Sequence, residues 1–237
     1  MNVAQPFKTL CRNILDIVFP VYCVICGKEN QFLCPTCKTG LPKLEHQRCI
    51  VCEKPSPFGK THPMCLTKNA ADGLVCALPY PEKIKRLIAV FKYKFISDLG
   101  ASLAEAIFAE IINQNLRQYL RDFIVIPVPL HKRRFAWRGF NQAQLLSQDL
   151  AGKLGLALDQ NLVLRVKNTK PQVDLNREQR KANISDAFAL RPDSLVTDKK
   201  FLLIDDVVTS GSTMNEIAKL LKKNKAAEVW AAAVAHG

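Results

Sequence analysis

The 237-residue sequence has no apolar run approaching the roughly 18 residues that a membrane-crossing helix needs, so no integral membrane segment is expected. It also lacks a convincing secretory leader. The apolar stretch near the N-terminus is broken by Arg12 and Asp16, and no small-residue cleavage site follows. Together these absences make a reducing cytoplasmic location the expectation. The phosphate-binding pattern GxxxxGK followed by Ser or Thr is missing, which argues against a P-loop ATPase. No GxGxxG follows a predicted strand, so dinucleotide binding is not expected either. No module for holding a nucleobase is recognisable. No repeat at solenoid period is visible beyond a recurring CxxC unit.

Positive charge and clustered cysteine are in excess. The net charge is +13 and the pI is near 9.4. Such a balance points to polyanions: nucleic acid, phosphorylated small molecules or an anionic membrane. A generically basic soluble protein is the plainer alternative. Seven of the nine cysteines lie between Cys23 and Cys65, in a proline-rich stretch with little periodicity. In a reducing compartment, close cysteine pairs indicate metal rather than disulfides.

A CxxC turn presents two thiolates from one tight knuckle, and two knuckles supply the tetrahedral sulfur shell that zinc prefers. CVIC (Cys23, Cys26) and CPTC (Cys34, Cys37) form the first such set. CIVC (Cys49, Cys52) with HPMC (His62, Cys65) forms a second, Cys3His set. Pairing of knuckles across the two ribbons is also compatible with the spacing. With every position filled by protein, the zinc would be structural and would help fold the module. Cys11 and Cys76 lack knuckle spacing and read as buried apolar thiols. Ahead of the ribbons, Phe7, Leu10, Cys11, Ile14, Leu15 and Val18 fall at helical spacing. Residues 6–19 therefore read as an amphipathic helix docked on the body of the protein.

Beyond a boundary placed near residue 70, the pattern changes. Residues 1–70 are expected to form the N-terminal helix and ribbon module, and residues 71–237 a second domain. GLVCALPY, FIVIPVPL (123–130), FLLIDD and EVWAAAVA read as strands. EKIKRLIAVFKYK and residues 99–121, 141–154 and 213–223 read as helices. Strands alternating with helices predict an α/β fold with a mostly parallel sheet covered on both faces. Residues 165–187 are polar, with little apolar periodicity, and read as a long loop.

In FLLIDDVVTSGST (201–213), two carboxylates stand where a parallel strand should end, which is where open α/β sheets bind ligands. The small-residue loop TSGST then enters a helix, whose N-terminus suits phosphate. Asp205 and Asp206 would repel that phosphate but suit sugar hydroxyls or Mg2+. The site so read takes a sugar phosphate. A plain strand-to-helix turn capped by Asp is the alternative.

HKRRFAWRGFNQAQ packs Lys132, Arg133, Arg134 and Arg138 among Phe135, Trp137 and Phe140, directly after the 123–130 strand. Cations beside aromatic faces track a nucleic-acid backbone and stack bases. A pyrophosphate-binding loop for the same sugar phosphate is the alternative, as is a solvated loop with its aromatics in the core. Arg177, Arg180 and Lys181 lie in the long polar segment, from which they could close over a ligand. KKNK (222–225) reads as a basic helix C-terminus. Lys92 and Lys94, flanking Tyr93, read equally well as functional or as solvated.

LLIDDVVTSGST resembles the phosphoribosyl-pyrophosphate (PRPP) motif of type I phosphoribosyltransferases. That resemblance implies that Asp205 and Asp206 contact ribose hydroxyls, with magnesium accompanying PRPP. It implies that Thr209, Ser210, Gly211, Ser212 and Thr213 hold the 5′-phosphate. The loop departs modestly from the family's Thr-Gly-Gly or Thr-Thr-Gly by having Thr-Ser-Gly. The wider order also matters: ribbons, then IPVPLHKRRFAWRGFNQAQLL, then KPQVDLNREQRKANISDAFAL, then this loop. It resembles the ComF/GntX family of competence proteins over nearly the whole chain. The resemblance implies a phosphoribosyltransferase-type fold and a role in handling single-stranded DNA during uptake. An active phosphoribosyltransferase, moving ribose 5-phosphate from PRPP to a nitrogen acceptor, is the alternative. An adaptor whose ribbons dock a helicase-like or channel protein is a third reading.

Overall fold

The computed structural model describes residues 21–93, 97–169 and 177–237. The expected helix at 6–19, Cys11 and Lys94 lie outside them. The first ribbon carries the Tyr22–Glu29 bridge and a short helix, α1 (Pro35–Thr39). The second carries the Arg48–Pro55 bridge and a 3-10 turn, Pro57–Gly59.

The strands are β1 (Gly73–Pro79), β2 (Phe123–Pro127), β3 (Ala157–Leu158), β4 (Val163–Arg165), β5 (Phe188–Leu190), β6 (Lys200–Val208) and β7 (Glu228–His236). The helices after α1 are α2 (Glu82–Tyr93), α3 (Ser97–Asn113), α4 (Lys132–Arg138), α5 (Gln142–Leu154), α6 (Arg177–Ile184) and α7 (Ser212–Lys223). Five strands form one sheet in the order β1-β7-β6-β2-β3, and every neighbouring pair is parallel. This is the expected α/β architecture. The central strands read as near-continuous apolar runs because both faces are covered. Along β6, Leu202 and Ile204 face Leu87 and Phe91 of α2, Leu103 of α3 and Leu146 of α5. Phe201 and Leu203 face the other way, onto Met214, Ile217 and Leu221 of α7.

Two expectations need correcting, and the segment 132–140 gains a defined element. The helix expected over 99–121 stops at Asn113, because Asn115 takes a left-handed conformation (φ 55°) and turns the chain. The segment 132–140 holds a helix: His131 caps α4, and Gly139 (φ 77°) ends it in the left-handed region. The polar stretch 165–187 is not one loop. β4 and β5 pair antiparallel at its two ends, and α6 lies between them in the chain. These pieces are short, and α6 has no apolar stripe, so periodicity misses them.

The second ribbon covers the outer edge of β1, which would otherwise present unpaired backbone groups. Gln47 is 4% exposed and acts as a substitute strand. Its Oε1 accepts the Cys76 N–H (2.9 Å), and its Nε2 donates to the Cys76 carbonyl (3.0 Å) and to Glu110 (2.8 Å). Lys60 bridges antiparallel to Gly73. A Cβ on Gly59 would lie 2.0 Å from the Leu74 carbonyl oxygen, so the closeness of ribbon and strand requires glycine there. Lys222 is not simply a solvated helix end: its ammonium holds Asp72 at 2.8 Å and the Ala70 carbonyl at 2.7 Å. Among the described residues, no helix is long and apolar enough to cross a membrane.

Candidate metal centres and ligand cavity

The ligand atoms group sequentially along the chain, not across ribbons. Cys23, Cys26, Cys34 and Cys37 form one set and Cys49, Cys52, His62 and Cys65 the other. Within each set all four ligand atoms lie within 4.8 Å of one another. A tetrahedral zinc with Zn–S near 2.3 Å has sulfur–sulfur edges of about 3.8 Å. The Cys26–Cys34 sulfurs are 3.7 Å apart, and Cys52 Sγ is 3.3 Å from His62 Nδ1. Both sets fit zinc.

The two knuckles share one backbone design. Cys23 N–H donates to the Lys28 carbonyl and Cys49 N–H to that of Lys54. Gly27 and Glu53 occupy the same left-handed position (φ 75° and 62°). His62 Nε2 lies 3.1 Å from the Pro55 carbonyl, the outer contact that leaves Nδ1 free to face a metal. Burial alone would raise the Cys23 thiol. Backbone N–H groups of Cys34, Cys26 and Ile25 outweigh it and bring the pKa down to about 6. Cys37 is pushed up to about 12, chiefly by its bond with Cys26 and by burial, and Cys65 to about 11 by burial and by Cys52. Four crowded thiols cannot all ionise without a cation among them. Cys76, by contrast, is a core thiol, 1% exposed, held well above its usual range by burial and by Glu110.

A cavity of about 1100 Å³ opens at the carboxyl ends of the strands. Asp205, Asp206, Thr209, Ser210 and Thr213 line it, together with Arg134, Trp137 and Arg138. Gly211 and Ser212 line a small adjoining recess. Lys132 and Arg133 are exposed on α4 outside the cavity lining. Phe140 is 7% exposed and belongs to the core, whereas Trp137 is 72% exposed.

The two carboxylates differ because adjacent strand residues point to opposite faces. Asp206 is 4% exposed and already partnered. Lys92 Nζ and Gln142 Nε2 each donate to it at 2.9 Å. Asp205 opens into the cavity. Burial, then the charge of Asp206, raises its pKa to about 7, although Lys92 and Arg165 pull it the other way.

Comparison with known proteins fits this arrangement. Residues 14–77 match the double zinc ribbon domain, and residues 138–237 match the phosphoribosyl transferase domain. The DNA utilization protein YhgH of Salmonella typhi is 35% identical, with 93% of each chain covered. Competence protein F of Haemophilus influenzae is 34% identical over 86% of this chain and 80% of its own. The chain belongs to the ComF/GntX family. Competence protein ComFC of Streptococcus pneumoniae, 28% identical over 85% of this chain and 86% of its own, carries the likeness further.

In this ComF/GntX chain the cavity also gathers cations that lie far apart along the chain. Arg165 donates to Thr169 Oγ1, and Arg134 to the Thr169 carbonyl at 3.1 Å. Arg180 donates to Thr209 Oγ1 at 2.9 Å, which brings α6 to the small-residue loop. Burial, then the charge of Arg134, lowers the Arg165 guanidinium to about 10. Tyr93 and Trp137 meet edge to face with centroids 5.6 Å apart, and the Arg138 guanidinium lies 5.3 Å over the Tyr93 ring. Gln142, Arg165 and Tyr93 carry no motif of their own. The one available signal was that Lys92 and Tyr93 end an otherwise amphipathic helix.

Proposed function

We propose that this chain handles single-stranded DNA in the cytoplasm during DNA uptake and that its α/β domain binds PRPP with Mg2+. One observation carries the reading. The carboxylates and small-residue loop share a cavity with Arg134, Trp137 and Arg138. Asp205 faces a ribose hydroxyl or the magnesium, while Asp206, held by Lys92 and Gln142, fixes the strand end. The loop at 209–213 takes the 5′-phosphate through its N–H groups and hydroxyls. The cationic side takes the pyrophosphate or a DNA backbone, and Trp137 stacks a base. The names of the relatives, competence and DNA utilization proteins, support the same direction.

A second reading is favoured by the cavity's size. About 1100 Å³ leaves room beside a sugar phosphate for an acceptor. An active transferase would then join a nitrogen nucleophile to the ribose anomeric carbon and release pyrophosphate.

Binding experiments on the zinc-loaded protein separate the two. Calorimetry with PRPP and Mg2+, and fluorescence titration with single-stranded DNA, should both show binding, and PRPP should weaken the DNA complex. Absence of DNA binding at low salt, with PRPP still bound, would move the transferase reading to first place. Absence of PRPP binding at millimolar ligand would leave the loop as a relic of the fold.

A further inference from the structure

The second zinc knuckle and the small-residue loop are in direct contact. Gly211, at the N-terminus of α7, has φ +66°, and a Cβ there would lie 2.7 Å from both Ile50 Cγ1 and the Ile50 carbonyl oxygen. Ile50 stands between the ligands Cys49 and Cys52. It is 1% exposed, in the same core cluster as Met214 and Ile217 of α7. Glu53, the residue after Cys52, lines the cavity. The first turn of α7 is tied down nearby, since the Ala71 N–H donates to Asn215 Oδ1 at 3.0 Å. The first ribbon has no such relation. Leu33, Val24, Ile25 and Phe32 pack on the opposite core cluster, and none of its described residues lines the cavity.

We propose that Ile50 is a positioning residue for the loop at 209–213. Zinc binding by Cys49, Cys52, His62 and Cys65 and ligand binding in that loop then strengthen each other, while the first zinc set stands apart. This rests on the reading of the loop as a phosphate site. The physical basis is packing. The knuckle backbone is shaped by two cysteines on one ion, and Ile50 rides on that backbone against a loop that has no side chain at Gly211 to yield. A shift of the knuckle therefore moves the loop's N–H groups. Coupling of this kind is reciprocal, so the factor by which zinc tightens the ligand equals the factor by which the ligand tightens zinc.

The test uses the full chain and PRPP with Mg2+ as the probe. Ile50→Ala, loaded with two zinc ions, should bind PRPP about fivefold or more weakly than wild type. Ile50→Val should restore most of the loss. Cys26→Ser disables the first set, so a chelator titration of that protein reads the second set alone. Saturating PRPP should shift its zinc affinity upward, by at least about fivefold. An Ile50→Ala protein that retains both zinc ions and binds PRPP as wild type does would overturn the proposal. So would a chelator midpoint that PRPP leaves unmoved, a result that needs no substitution at Ile50. In both cases wild-type PRPP binding would persist, and the sugar-phosphate reading would stand. If wild type fails to bind PRPP, that reading falls and takes this coupling with it.

Discussion

The two walls of the cavity are built on different principles. The acidic wall is contiguous: Asp205 and Asp206 at the end of β6, then the loop at 209–213 and the N-terminus of α7. Its geometry is set by backbone at the centre of the sheet. The basic wall is assembled from separate pieces. Lys92 comes from α2, Arg134 and Arg138 from α4, Arg165 from β4 and Arg180 from α6. Its position depends on bonds to groups elsewhere, such as Lys92 on Asp206 and Arg180 on Thr209. With Lys85 of α2 also lining the cavity, six cations face three carboxylates, Asp205, Asp206 and Glu53, and the excess of positive charge suits a ligand carrying several negative charges. One wall supplies a fixed frame, and the other supplies charge whose pairing a ligand can change.

The largest effect should come from cutting the bond between the walls. Burial would lower the Lys92 ammonium, but the charge of Asp206 outweighs it and raises it. Lys92→Met leaves Asp206 buried beside Asp205 without a counter-charge. Breaking such a pair costs about 3 kcal/mol, the lower end of the range because Lys92 keeps a quarter of its side-chain surface exposed. Urea denaturation should show that loss, and the double change Lys92→Met with Asp206→Leu should recover it. A loss under about 1 kcal/mol would mean that the walls fold independently of this pair.

Next in size is the aromatic contact. Trp137→Ala should weaken single-stranded DNA binding by about 1–3 kcal/mol with little change in salt dependence. Stability should hold, because the ring is 72% exposed. Lost stability with unchanged affinity would assign Trp137 to packing.

The acidic wall is expected to titrate within the working range. Asp205, raised to about 7 by burial and by Asp206, must be ionised to hold a magnesium–PRPP complex. Below that pH the protonated form predominates, so PRPP affinity should fall about tenfold, or about 1.4 kcal/mol, for each unit of pH below 7. Above it the affinity should level off. Asp205→Asn should bind weakly at every pH, without the slope. A wild-type affinity that is flat between pH 5.5 and about 7.5 would remove Asp205 from the ligand.

The contrast between the walls also explains what the sequence made legible. The acidic wall could be read because its parts follow one another: apolar strand, two carboxylates, small residues, helix. The basic wall could be read only where one short segment holds several of its members. Arg134, Trp137 and Arg138 fall on the cavity side of α4, but Lys132 and Arg133, adjacent in the chain, point away from it. A seven-residue helix turns neighbours to different faces, and a run read as one basic patch does not carry that information. Arg165 ends a three-residue strand and gives no pattern at all. The candidate zinc ligands stand out by their spacing, yet their sequential grouping and the seating of Ile50 on Gly211 arise from tertiary contact.

The smallest effect divides two neighbours on α4. Arg133 is exposed outside the cavity, whereas Arg134 lines it. Burial, then the charge of Arg138, disfavours the Arg134 guanidinium, so an anion in the cavity would relieve it. Each cation that touches a DNA phosphate contributes about 0.7 to the log–log slope of affinity against salt. If DNA enters the cavity, Arg134→Ala should lower that slope by about 0.7 and weaken PRPP as well. Its effect on stability should be small, because the lost hydrogen bond to the Thr169 carbonyl is offset by relief of the like charge of Arg138. Arg133→Ala should leave PRPP untouched and lower the DNA slope only if the strand continues over the outside of α4. An unchanged slope for Arg134→Ala with a reduced one for Arg133→Ala would put the DNA wholly on the outer surface. The cavity would then be left to the sugar phosphate alone.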